Sequence, residues 1–112
     1  MNAETPIVQR IRLAIGSRND ARIFRNSCGF DAERKVRYGL CNGSSDLIGW
    51  TTVTLAGRRV AVFTALEVKR PNGGRLSVEQ ASFLAAVRDA GGIAAVVTSP
   101  EDAISALTNH AI

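Results

Sequence analysis

Asp46 stands between the turn residues Gly43-Ser-Ser and the β-rich run LIGWTTVTL, and Glu67 and Lys69 close the apolar run VAVFTALEVK. Strands that bury apolar faces do not ordinarily carry such charges. Side chains alternate along a strand, so Glu67 and Lys69, two apart, project from one face. If Ala56-Gly57 is the turn between Asp46–Leu55 and Arg59–Lys69, then Leu55 faces Arg58, and counting outward sets Asp46 opposite Glu67. Cβ atoms of opposed residues lie about 4.5–5.5 Å apart, and like charges there repel. Two carboxylates so placed call for a cation. Mg²⁺ or Mn²⁺, taking oxygen ligands from carboxylates and substrate phosphate, meets that need. A lysine at the edge can hold or deprotonate a water. The chemistry that such a set can carry is metal-assisted hydrolysis of a phosphodiester. The bare spacing Glu-x-Lys is also that of a simple ion pair at a strand end.

The elements that must position these groups are partly legible. Thr5-Pro6 reads as cap and first residue of a helix, with Ile7, Ile11 and Ile15 as its apolar stripe and Gly16 as its end. ARIFRNSCGF suggests a short strand and then a turn, whereas DAERKVRYG reads as loop or irregular strand. The hairpin follows. RPNGGR breaks the chain, and Ser77 caps a second helix reaching about Ala90, with Val78, Ala81, Leu84, Ala85 and Val87 as its apolar residues. Ile93–Val97 is an apolar strand of the buried type. Ser99-Pro100 opens a third helix, with Glu101 and Asp102 in its positive first turn. The expected fold class is α/β, a mixed β-sheet flanked by helices in the order α-β-β-β-α-β-α. Its last strand returns parallel to the Glu67 strand through a crossover helix.

In order, Gly43-Ser-Ser-Asp46-Leu-Ile, then Glu67-Val-Lys69 after an apolar strand, then Ser77-x-x-Gln80 opening a helix, the chain resembles the PD-(D/E)XK nuclease superfamily, and more narrowly the VRR-NUC family. The likeness begins at Glu4 and passes through Phe24-Arg-Asn26, Gly29, Gly39 and Gly43. It ends beyond the helix after Arg75-Leu-Ser, at Ser-Pro-Glu-Asp102. The proline usual before the family's aspartate is Ser45 here. The resemblance implies a restriction-endonuclease-like core spanning residues 1–112 as a single domain. It implies Asp46, Glu67 and the Val68 carbonyl as metal ligands, Lys69 as the residue that positions or activates water, and Gln80 and Glu4 as supporting catalytic positions. It further implies products bearing a 5′-phosphate and a 3′-hydroxyl. Stand-alone members are similar to Holliday junction resolvases and act as homodimers, and members fused to larger proteins look like flap nucleases. A homodimer cutting branched DNA is therefore expected.

Several of these residues have a second reading. Gln80 completes a capping box with Ser77, and Glu4 suits the positive end of the first helix. Gly39 and Gly43 either let a phosphate backbone approach or form the turn. Arg25, Arg37, Arg70 and Arg75 flank the site in sequence and are candidate phosphate clamps. Trp50 and Phe63 read as core or dimer contacts.

The 112 residues, 46% hydrophobic with 3 prolines, suffice for one packed domain and argue against disorder. The net charge of +4 comes from 14 basic and 10 acidic residues, and Lys35 and Lys69 are the only lysines. An arginine bias suits phosphate recognition and equally follows from GC-rich coding. No apolar run is long enough for a membrane span, and MNAETPIVQR lacks the order of a signal peptide. A cytoplasmic location is expected. Cys28 and Cys41 need not pair there. With the single histidine, His110, they make no zinc set. A non-catalytic nucleic-acid-binding module and a partner-binding α/β protein remain the alternatives.

Overall fold

The computed structural model describes residues 4–109; His110 lies outside them. Helix α1 (Thr5–Gly16) opens the chain, followed by strands β1 (Ala21–Arg25), β2 (Gly29–Asp31), β3 (Val36–Tyr38), β4 (Leu47–Leu55) and β5 (Arg58–Val68). Helix α2 (Val78–Asp89), strand β6 (Ile93–Val97) and helix α3 (Pro100–Thr108) complete the fold.

Strands β1, β4, β5 and β6 form one sheet in that order, and β2 pairs with β3 in a separate antiparallel ribbon. The sheet is mixed: β1–β4 and β4–β5 are antiparallel, β5–β6 parallel. The observed order thus has two more strands than expected. The ribbon runs from Gly29, expected as a turn, through the segment from Asp31 expected as loop or irregular strand; its strands are three residues each and its residues 32–38 are exposed, so no alternation of burial marks them.

The β4–β5 register is the one that an Ala56-Gly57 turn dictates, with Leu55 opposite Arg58 and Leu47 opposite Leu66. Both turn residues have positive φ, 50° and 81°, the signature of a type I′ hairpin, whose twist matches that of the strands. Continuing the register beyond Leu47 sets Asp46 against Glu67.

Alternation along β5 sorts the molecule into layers. Leu66 and Val68 join Ile7, Val8, Ile11, Ile15, Leu47, Val97, Ala103 and Leu107 in the main core, under α1 and α3. The opposite face carries Ala65, which packs with Leu84 and Val87 of α2 and with Ile48 and Ala94. Glu67, two residues from Ala65, therefore points to the α2 side.

Four expectations need correction. Glu4, not Thr5, occupies the cap position of α1; Pro6 still falls in its first turn. Val78, 79% exposed, Ala81 and Ala85 all lie on the outer side of α2, which buries only Leu84 and Val87. β6 is an edge strand and is only partly buried, with Val96 exposed. Trp50 and Phe63 are not core: they oppose each other across β4 and β5, 41% and 43% exposed, on a part of the sheet that α2 leaves bare. Cys28 and Cys41 are exposed free thiols.

Candidate active site

The end of the β4–β5 hairpin gathers the charged residues. Asp46 lies one residue before β4, and its Oδ2 accepts a hydrogen bond from the Val68 N–H at 2.8 Å. The next amide in the strand, Lys69 N–H, donates the other way, to the Val97 carbonyl of β6 at 3.0 Å. N–H and C=O of one residue leave an extended strand on the same side, so the Val68 carbonyl also faces the Asp46 side. Glu67 is 2% exposed. Lys69 Nζ lies 3.7 Å from Glu67 Oε2.

Burial is the main cause that pushes the Glu67 carboxyl up to about 8, and hydrogen bonding and repulsion from Asp46 add to it; Lys69 opposes them. A glutamate this far above its ordinary range is held in a place unfavourable to its own negative charge. Such a pair is short of positive charge.

Gln80 performs two tasks. At the start of α2, Ser77 Oγ accepts from the Gln80 N–H at 3.0 Å while Gln80 Oε1 accepts from the Ser77 N–H at 2.9 Å, a complete capping box. That leaves the Gln80 amide nitrogen free to donate to Glu67 Oε2 at 3.2 Å. The cap fixes the rotamer that reaches the carboxylate, so the two readings of Gln80 describe one side chain.

The loop before Asp46 is set by a residue without an assigned role in the sequence, Asn26. Its N–H donates to the Asp46 carbonyl at 2.8 Å, and its Nδ2 donates to Ser44 Oγ at 2.7 Å and to the Ser45 carbonyl at 2.9 Å. Gly43, with φ +85°, lies so close to α2 that an added Cβ would stand 2.6 Å from Glu79 Cβ. Its use is packing that loop onto α2. Gly74 likewise lies over Lys69, where a Cβ would meet Lys69 Cβ at 2.8 Å. Asn26 and Gly74 had weak signals: an asparagine ending the Phe24-Arg-Asn26 motif, and a glycine pair in a loop already read as a break.

The other candidates divide. Arg25 lines a polar cavity of about 240 Å³ together with Asp46, Asn26, Cys28 and Val8. Glu4 stands one helical turn before Val8 in the chain. Arg70 follows Lys69 directly, and its guanidinium is 3.5 Å from the Gly73 carbonyl. Arg75 is exposed in the loop before α2. Arg37 lies away from this group, on β3 of the ribbon. Cys28 in the same cavity was not foreseen. Burial opposes its ionisation, but hydrogen bonds from Ser44 and from the Leu40 and Cys41 backbone lower its pKa below the ordinary thiol value.

Among the described residues no three His, Cys, Asp or Glu side chains cluster as a metal site. The donor set for a cation is two carboxylates and a backbone carbonyl. That set fits Mg²⁺ or Mn²⁺, which complete their shells with water and phosphate oxygens.

The VRR-NUC domain matches residues 9–101 of the chain, from the middle of α1 to the first turn of α3. This chain belongs to the VRR-NUC family. It therefore carries a nuclease domain of restriction-endonuclease-like fold, and a nuclease domain binds nucleic acid. Asp46, Glu67, Lys69 and Gln80 all fall inside the matched span; Glu4 precedes it. No curated protein and no solved structure gives a significant match. Among the described residues no helix of this VRR-NUC domain is long and apolar enough to cross a membrane.

Proposed function

We propose that the chain is a metal-dependent, structure-specific DNA endonuclease of Holliday junction resolvase type, acting as a homodimer and leaving a 5′-phosphate and a 3′-hydroxyl. The observation that carries this reading is the buried Glu67 carboxyl, raised to about 8 by burial and by Asp46, with Lys69 Nζ 3.7 Å away. Asp46, Glu67 and the Val68 carbonyl are the groups that would hold the cation. Mg²⁺ or Mn²⁺, when bound, supplies the positive charge that neutralises the scissile phosphate and eases ionisation of water. Lys69 orients the attacking water for in-line displacement, since positioning and electrostatics dominate phosphoryl transfer. Gln80 holds Glu67 in the orientation that the cation needs. Arg25, which lines the cavity at Asp46, and Arg70 and Arg75, in the loop that follows Lys69, grip flanking phosphates.

The dimer is supported by the uncovered aromatic face. Trp50 and Phe63 stand opposite each other, and Phe24 lies with its ring centroid 5.8 Å from that of Trp50. Phe63 also lines an apolar cavity of about 570 Å³ with Leu55, Phe83 and Val87. Two such faces joined about a two-fold axis would carry two sites, as symmetric cutting of a four-way junction requires.

The test incubates wild type and Lys69→Ala with labelled four-way junction, flap and linear duplex DNA, in Mg²⁺ and in Mn²⁺. Wild type is expected to cut the junction best, with paired symmetric nicks, and Lys69→Ala to cut none. No cleavage by wild type sinks the nuclease reading, and preference for the flap replaces the junction.

A further inference from the structure

We infer that the β2–β3 ribbon is a DNA-gripping arm, with Phe30 as a base-stacking residue and Arg37 as its phosphate contact at a branch point. This rests on the nuclease reading and deepens it.

The ribbon is built to present side chains rather than to bury them. Phe30 pairs directly with Arg37, so an aromatic ring and a guanidinium share one face, and Phe30 is 55% exposed. The other face is also open, with Val36 and Tyr38 each 52% exposed, but it carries no cation beside an aromatic ring. Tyr38 lies over Gly29, its partner in the ladder, so closely that a Cβ on Gly29 would overlap the phenol. That contact stiffens a hairpin which, with two short strands, would be marginal alone.

Charge selects the occupant. The ribbon and its turn carry Arg34, Lys35 and Arg37 against Asp31 and Glu33. Asp31 is engaged in the turn, where its Oδ1 accepts from the Glu33 and Arg34 N–H groups and its Oδ2 lies 3.8 Å from Arg34. Among the described residues, Lys35 and Arg37 have no carboxylate partner within ion-pair distance. The two unpaired cations beside an exposed ring suit a polyanion, which offers both phosphates and ring faces. Stacking of a base on an aromatic side chain beside a cation is the chemistry by which proteins hold unpaired nucleotides.

Position supplies the third argument. Both ends of the arm are fastened beside Asp46. Cys28 Sγ lies 3.1 Å from Ser44 Oγ, the Leu40 N–H donates to Asn26 Oδ1 at 3.4 Å, and Asn26 in turn holds the Asp46 carbonyl. A strand advances about 3.3 Å per residue, so from Asn26 the tip reaches on the order of 20 Å, close to the width of a duplex. DNA whose phosphate sits at Asp46 and Glu67 would pass within that reach.

The test measures binding of the full chain, without cleavage, in Ca²⁺ by fluorescence anisotropy. Its probes are a four-way junction with 2-aminopurine at the branch point and a linear duplex. Wild type should change the 2-aminopurine signal on binding the junction. Phe30→Ala should lose that change and bind the junction about tenfold more weakly, at unaltered salt dependence. Arg37→Ala should reduce the slope of log affinity against log salt by about one on both DNAs. Thermal melting and Mn²⁺ calorimetry, unchanged in both variants, show that fold and metal site persist. Junction binding, salt slope and 2-aminopurine signal all equal to wild type in both variants would overturn the arm while leaving a nuclease that still cuts. A wild type that binds and stacks in this way yet cuts nothing in Mg²⁺ or Mn²⁺ would retain the arm and end the nuclease reading.

Discussion

The Gln80 amide donates to Glu67 Oε2 at 3.2 Å while the same side chain closes the capping box of α2. A helix start and a buried carboxylate are thereby tied together, and substitutions can separate the two tasks. Gln80→Ala keeps the Ser77 Oγ bond to the residue 80 N–H but loses the reciprocal bond from the Ser77 N–H and the bond to Glu67, costing about 0.5–1.5 kcal/mol of stability for the lost cap bond and most of the cleavage activity. Gln80→Glu retains an acceptor for the Ser77 N–H but removes the donor to Glu67. It should keep a melting temperature nearer to wild type than Gln80→Ala does and still lose at least about tenfold in activity. Paired melting curves and single-turnover rates check this; equal activity of Gln80→Glu and wild type would leave Gln80 as a cap only.

The raised pKa of Glu67 makes the metal-free protein sensitive to alkali. Between its ordinary value of 4.5 and about 8, the folded state keeps a proton that the unfolded chain has released. Stability is therefore fully present below about pH 4.5 as far as Glu67 is concerned, and is lost as pH rises towards 8. The loss should be on the order of a few kcal/mol. Urea midpoints in EDTA at pH 5, 6.5 and 8 should fall in sequence for wild type and change far less for Glu67→Gln, which is neutral throughout.

Metal binding should mirror that behaviour. A cation at Glu67 requires the carboxylate, so apparent Mn²⁺ affinity should rise about tenfold per pH unit up to about 8, with release of a proton. Calorimetry in two buffers of different ionisation enthalpy reads the proton directly. An affinity independent of pH would place the cation elsewhere.

Asp46 and Lys69 pull Glu67 in opposite directions. Asp46→Asn should lower the Glu67 pKa, and Lys69→Met should raise it. Burial, the largest cause, remains in both variants, so neither returns Glu67 to its ordinary value. Carboxyl ¹³C titration by NMR resolves the two signs. Both variants should also lose at least about a hundredfold in cleavage rate.

Ser45 stands where the family commonly has proline, and its hydroxyl is buried at 0% exposure without a hydrogen-bond partner among the described residues. An unsatisfied buried hydroxyl costs about 1 kcal/mol or more. Ser45→Ala should therefore raise the melting temperature by several degrees and leave the Asn26 bond to the residue 45 carbonyl in place. A lower melting temperature would mean that the hydroxyl has a partner.

Much of this architecture was written in local chemistry. Ala56-Gly57 as a two-residue turn determined the hairpin register, and with it the approach of Asp46 to Glu67. Ser77 and Ser99 marked their helix starts, and Ile7, Ile11 and Ile15 marked the buried stripe of α1, because caps and a 3.6-residue period act within a few residues of chain. What the local pattern could not carry was assembled from distant segments. The ribbon read only as a turn and then loop or irregular strand, because its strands bury neither face and so show no period. Trp50 and Phe63 read as core or dimer contacts, and the sequence had no means to separate the two; the placement of α2 over Ala65, Ile48 and Ala94 leaves them uncovered and rules out core. The same placement seals Glu67 from water and sets its proton affinity, and Asn26 holds the Asp46 loop across the end of β1. The sequence by itself determined which residues meet across a strand pair, since that follows from turn length and alternation. Tertiary structure alone decided how deeply they are buried and what orients them, since both depend on helices and loops packed from elsewhere in the chain.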